Sequence, residues 1–124
     1  MKILICGDRD WTDDATISTF LHSWPKDTVI IHGDCRGADS IAGKIAKEIG
    51  LIVEAYPAQW TKYHEEAGPI RNAQMLDEGK PDMVVYFHHN LAESKGTKNM
   101  VMQANYANIR VFDGWALVEY ERLH

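Results

Sequence analysis

Cysteine is scarce in this chain, long apolar runs are missing, and no stretch gathers basic residues; each shortage removes a class of function. Cys6 and Cys35 are its two cysteines; they show no metal-ligand spacing, so free thiols in a reducing cytosol are expected. The apolar runs are strand-sized, so none can span a bilayer. Met1-Lys2-Ile3-Leu4-Ile5-Cys6 reads directly into a strand and lacks the length and cleavage pattern of a signal peptide, which gives a cytoplasmic expectation. The formal net charge is −5 with no basic tail or stripe. Non-specific nucleic-acid binding needs clustered cations to neutralise phosphates, so it is not expected as the main activity. The dinucleotide fingerprint Gly-x-Gly-x-x-Gly and the Gly-Lys-Ser/Thr ending of a Walker loop are also missing, which argues against a conventional dehydrogenase or P-loop ATPase.

What is present describes one soluble globular domain. The chain is 45% hydrophobic and 25% charged over 124 residues, enough to bury a proper core within a single unit, 1–124. Lys2–Cys6 is a short β-rich run, followed by Gly7-Asp8-Arg9-Asp10-Trp11. Thr12 or Asp13 can cap a helix whose apolar positions Ile17, Phe20, Leu21 and Trp24 fall on one face before Pro25 stops it. Thr28–Ile31 reads as a second strand. It leads into His32-Gly33-Asp34-Cys35-Arg36-Gly37-Ala38-Asp39 and then into a helix with the stripe Ala38, Ile41, Ala42, Ile45, Ala46 and Ile49, closed by Gly50. Leu51–Tyr56 is a third strand, ended by Pro57. The connection 58–68 reads as a long functional loop, and Pro69 fits the first turn of a helix running from Ile70 to about Glu78. Asp82–Phe87 is a fourth strand, His88–Lys95 a loop, Gly96-Thr97 the start of a helix, and Ile109–Phe112 a fifth strand. The tail 113–124 is ambiguous between strand and helix. Short continuous apolar strands alternating with helices mean βαβ units: an α/β, Rossmann-like domain with a five-stranded, mainly parallel sheet covered by helices on both faces.

All strand-to-helix turns of a parallel sheet lie on one rim, where ligands bind at the topological switch point. The first turn brings Gly7, Arg9 and Trp11 there, the second Gly33, Arg36, Gly37 and Asp39, the third Trp60, Arg71 and Asn72, and the fourth Lys95, Gly96 and Thr97. A cation in every one of these turns, in an acidic chain, is the non-random feature. Arginine forks and the unpartnered N–H groups of helix starts suit phosphate. Trp11 and Trp60 suit a nucleobase face, where stacking contributes about 1–3 kcal/mol per base. The stretch His32–Asp39 in particular has the form of an anion cradle, with Asp39 a helix cap or a partner for Arg36. His32 reads as a core histidine and the two cysteines as buried structural thiols. His88-His89 lacks a third ligand at convincing spacing, so no metal site and no cofactor are expected.

Gly7–Trp11, His32–Asp39, Pro57-Ala58-Gln59-Trp60, Ala67-Gly68-Pro69-Ile70-Arg71-Asn72-Ala73-Gln74-Met75-Leu76 and Gly96-Thr97 resemble the successive motifs of the YspA-type branch of the SLOG superfamily, in order, from residue 3 to about 112. The resemblance implies a Rossmann-like fold related to the LONELY GUY phosphoribohydrolases and the Rossmann domain of DprA, and binding or sensing of a nucleotide-derived phosphorylated small molecule. It also implies a homo-oligomer, since related proteins often pair through helices. One segment departs from the pattern. Where relatives carry Pro-Gly-Gly-x-Gly-Thr, this chain retains only Gly96-Thr97, preceded by Lys95. Lys98, Asn99 and Met100 stand where the LONELY GUY enzymes carry acidic residues that serve N-glycosidic cleavage. Loss of a carboxylate there disfavours oxocarbenium stabilisation or water activation. Holding a nucleotide is therefore expected over cutting one. An N-glycosidase whose carboxylates are drawn from Asp8, Asp10, Asp34, Asp39, Glu65 and Glu93, and a DprA-like contact with single-stranded nucleic acid, are the alternatives.

Overall fold

The computed structural model describes residues 1–124. Five parallel strands, β1 (Lys2–Gly7), β2 (Val29–His32), β3 (Ile52–Ala55), β4 (Met83–Phe87) and β5 (Arg110–Asp113), form one sheet in the order β3-β2-β1-β4-β5. Six helices connect or follow them: α1 (Asp14–His22), α2 (Ala38–Glu48), α3 (Trp60–Tyr63), α4 (Ala67–Gly79), α5 (Gly96–Tyr106) and α6 (Gly114–Leu123). The strand order reverses between β1 and β4, so the switch point, and with it the crevice of the fold, lies above the ends of these two strands.

Alternation along the strands makes the two layers. Ile3 and Ile5 pack with Ile30, Val85 and Phe87 against α1, α2 and α6, while Leu4 and Cys6 pack with Ile31 and Val84 against α4 and α5. Ile3, Leu4, Ile5, Ile30, Ile31, Val84 and Val85 are all fully buried, so the centre of β1, β2 and β4 is covered on both faces, while the edge strands β3 and β5 are partly exposed. Small residues set the spacing of α2: Ala38, Ala42 and Ala46 are fully buried against the sheet. Gly50 ends that helix with φ +88°.

Three features of the chain differ from their reading in the sequence. The 58–68 connection is not an open loop: α3 and a single 3₁₀ turn, His64–Glu66, occupy most of it, and α4 begins at Ala67, two residues before Pro69. The ambiguous tail is helix α6, started by Asp113, whose carboxylate accepts from the Ala116 N–H at 3.1 Å. Of the two candidate caps for α1, Asp13 is the one used, accepting from the Thr16 N–H at 3.1 Å.

Gly7 is where two layers meet most tightly. A Cβ there would lie 2.3 Å from the Phe87 carbonyl oxygen and 2.7 Å from Ala38 Cβ. Backbone cannot give way cheaply, so Gly7→Ala is expected to destabilise the fold by about 1–3 kcal/mol or more. Gly96, with nothing within 4 Å of its Cβ position, is the contrasting site, and Gly96→Ala is expected to stay within about 0.5 kcal/mol of the parent. Urea denaturation of both variants checks the pair.

Candidate functional site

A cleft of about 730 Å³ opens at the switch point. Its walls come from Asp8, Arg9 and Asp10 after β1, Arg36 after β2, Trp60, Glu65, Gly68, Pro69 and Arg71 after β3, and His88, Ser94, Lys95, Gly96, Thr97 and Asn99 after β4. A second cleft of about 370 Å³ adjoins it, sharing Arg9, Arg36, Trp60 and Arg71 and adding Gly33, Asp34, Cys35, Pro57 and Ala58. The shared wall carries the Arg9 guanidinium 5.8 Å from the ring centroid of Trp60, which is 47% exposed. The four expected cations thus converge on one site.

Arg71 holds that site together. It is 93% buried by residue (7% exposed), and Nη1 donates to the Gly33 carbonyl at 2.6 Å while Nε donates to Asn72 Oδ1 at 3.0 Å. Gly33 has to be glycine for this, because a Cβ would lie 2.6 Å from Arg71 Nη1. Asn72 passes the link on: its Nδ2 donates to the Gly96 carbonyl at 3.3 Å and to Asn99 Oδ1 at 3.0 Å. Thr97 is buried, and its N–H donates to Ser94 Oγ at 3.0 Å. One chain of polar contacts therefore runs from the second turn through the start of α4 to the start of α5. Arg71 Nη2 takes no part in it.

The His32–Asp39 stretch is a cradle, but its anion is internal. The Asp39 carboxylate accepts from the Gly33 N–H at 2.8 Å and also from the Cys35 N–H. The Ala38 N–H, first of α2, donates to the Asp8 carbonyl at 3.0 Å. Gly37, with φ +79°, lets the two turns touch, since a Cβ there would sit 2.2 Å from the Asp8 oxygen. The amide groups that the sequence offers to a ligand are thus largely consumed within the protein. Asp39 is nearly inaccessible and pairs with neither Arg36 nor solvent. Burial pushes its carboxyl up to about 6, offset in part by the Gly33 N–H, the Arg71 guanidinium, the Cys35 N–H and Arg9.

The other expected residues divide between cleft and core. Arg36 and Lys95 are exposed at the cleft; Arg36 makes one loose ion pair, 3.4 Å from Asp10, with both side chains more than two-thirds exposed. Such a pair holds its partners weakly. Trp11 is not in the cleft. It is 5% exposed, donates its indole N–H to the Asp13 carbonyl at 3.0 Å, packs edge-on against Phe87 and is stacked by His89. Gly7 and Asn72 likewise support the site from behind its surface, and His32 is buried, its Nδ1 accepting from the Asp34 N–H at 2.9 Å. Burial lowers the pKa of that imidazole. Cys6 is buried as expected, and burial drives its thiol well above the ordinary range; Cys35 instead is half-exposed on the smaller cleft. Asp8, Asp10 and Glu65, read in sequence only as alternative hydrolytic carboxylates, line the cleft, and the lining residues missed in sequence are Gly68, Pro69, His88, Ser94 and Asn99. Ser94 had a signal, as a hydroxyl three residues before a helical N–H; the rest depend on how the turns fold over one another.

Asp39 offers a direct check. Carbon-13 NMR of the carboxyl groups is expected to find it titrating near 6, and still higher in Arg71→Gln, which removes a nearby positive charge. Because the folded-state value lies above the unfolded one, the contribution of Asp39 to stability is greatest in acid and declines as pH rises from about 4 toward 6.

The comparisons with known proteins agree with this architecture. A family profile described as YspA, cpYpsA-related SLOG family matches residues 1–63. The chain is similar to the Gene 61 protein of Mycobacterium phage D29, 34% identical over 121 aligned residues that cover 90% of this chain and 94% of the relative. No solved structure matches significantly. With half of the chain inside the family profile and a full-length relative beside it, this protein belongs to the YspA, cpYpsA-related SLOG family.

Proposed function

We propose that the rim cleft binds a nucleotide-derived phosphorylated small molecule, and that the protein acts by holding or sensing it. The observation that carries this reading is the convergence of Arg9, Arg36, Arg71 and Lys95, from four separate turns of a chain with net charge −5, on one 730 Å³ cleft. Guanidinium groups recognise phosphate through paired donors, and Arg71 still has Nη2 to give. Trp60, the one large apolar side chain of that lining, supplies an aromatic surface for a base. Membership of a SLOG family supports a nucleotide-related role at this rim. Since the loop amides of the second turn are taken by Asp39, the side chains rather than a glycine-rich backbone carry the phosphate contacts in this reading.

The cleft also contains Asp8, Asp10 and Glu65, which keeps N-glycosidic hydrolysis as a second reading. Asp8 accepts the Asp10 N–H at 2.9 Å and Asp10 faces Arg36, so both are engaged in shaping the turn. Binding without turnover is the expected behaviour: nucleoside monophosphates incubated with the protein and followed chromatographically should release no free base, and release would assign catalysis to these carboxylates.

Calorimetry with nucleoside mono- and diphosphates tests the binding reading. Arg36 is exposed, so Arg36→Ala should leave the fold intact and weaken binding by about tenfold or more, on the order of 1.5–3 kcal/mol. Arg71→Ala should weaken binding and stability together, since the Gly33 carbonyl loses its donor; circular dichroism separates the two losses. Affinity unchanged in both variants would remove the phosphate assignment.

A further inference from the structure

The smaller cleft contains a feature that phosphate binding does not use. Cys35 lines it, half-exposed, with Sγ 3.6 Å from Arg71 Nη1 and 3.8 Å from the Gly33 carbonyl oxygen. Arg9 and Arg36 line the same space. Arg71 is more than nine-tenths buried, yet its Nη2 has no partner in the protein and it forms part of the wall of both clefts, so a donor is left facing whatever enters. The negative groups nearby are Asp34, beside Cys35 on the cleft wall, Asp10, loosely paired with Arg36 at 3.4 Å, and Asp39, whose carboxylate is occupied by the Gly33 and Cys35 N–H groups. Cys6 lies beneath, buried in the core and closed to reagents.

We propose that Cys35 is a site of reversible S-thiolation by anionic low-molecular-weight disulfides, which Arg9, Arg36 and Arg71 draw into the smaller cleft. The reaction is thiol–disulfide exchange. Cys35 Sγ, as thiolate, attacks one sulfur of RS–SR; the Sγ–S bond forms as the S–S bond breaks, and RS⁻ departs and takes up the proton that Cys35 lost. Cys35 is oxidised and one half of the reagent is reduced, so no further oxidant is needed. A carboxylate-bearing disulfide fits because its negative groups meet three guanidinium groups, while a cationic one is repelled by them. If the reading of the rim cleft as a phosphate site is right, the adduct and the ligand compete for Arg36 and Arg71, and thiolation closes the site; the modification itself does not depend on that reading.

The test uses the full chain and three disulfides of different charge, glutathione disulfide, 2-hydroxyethyl disulfide and cystamine, with each rate divided by that of the same reagent on a free cysteine peptide so that leaving-group differences cancel. Intact-mass spectrometry at low salt should show a single adduct, located on Cys35 by peptide mapping and removed by dithiothreitol. Rates should fall in the order anionic, neutral, cationic, with glutathione disulfide faster than cystamine by about tenfold or more, and the order should flatten at high salt. Arg36→Ala should slow glutathione disulfide several-fold more than 2-hydroxyethyl disulfide, a charge-selective readout that a folding defect would not produce. An adduct on Cys6, no adduct at all, or cystamine reacting as fast as glutathione disulfide would overturn the proposal. Inorganic diphosphate should protect Cys35; reaction in the expected order without protection would count against the phosphate reading and leave the thiol site standing.

Discussion

The hydrogen bond from Arg71 to the Gly33 carbonyl is the constraint on which the rim depends. It joins residues 38 positions apart, the turn after β2 and the first turns of α4, and it does so inside the protein. A buried guanidinium without partners would be costly to desolvate. Here the Gly33 carbonyl and Asn72 satisfy two of its nitrogens, and the Asp39 carboxylate nearby offsets its charge. Asp39 in turn needs the Gly33 and Cys35 N–H groups, so each buried charge is kept in place by what the other organises. Asn72 carries the same order to Gly96 and Asn99 across the switch point.

That arrangement explains how an acidic protein builds a cationic cleft. Of the carboxylates of the rim, Asp39 is an internal ligand and Asp10 is loosely paired with Arg36 on the surface. The guanidinium groups of Arg9, Arg36 and Arg71 remain turned toward the cleft. Net charge describes the whole chain, whereas the field inside a concave cleft is set by the few groups that line it.

Much of the fold was legible because hydrophobic periodicity is a local signal. The continuous runs at β1, β2 and β4 and the stripe of α2 follow directly from their burial on both faces of the sheet. The tail was not legible: Gly114, Trp115 and Val118 serve helix α6 only because Gly114 lets the Phe87 ring close on the helix start, a contact between distant residues. In the site, the cations were found because the topology sends every turn to one rim. The roles of the glycines were not. Gly7, Gly33 and Gly37 read as backbone that approaches a ligand, yet each makes room for another part of the protein: Phe87 and Ala38, Arg71, and Asp8. A sequence shows that a Cβ is missing but not what fills the space. Trp11 misled for a similar reason, since an aromatic residue in a rim turn can face inward, as this one does onto Phe87.

The most direct test of phosphate recognition by this cleft is a titration of nitrogen-15-labelled protein with a nucleoside diphosphate, followed through the arginine side-chain and backbone amide resonances. The expected result is saturable shifts of Arg71 Nε–H and of the Gly96 and Thr97 amides, with α1 and α6 unaffected. Shifts confined to other surfaces, or none while the nucleotide binds, would contradict it.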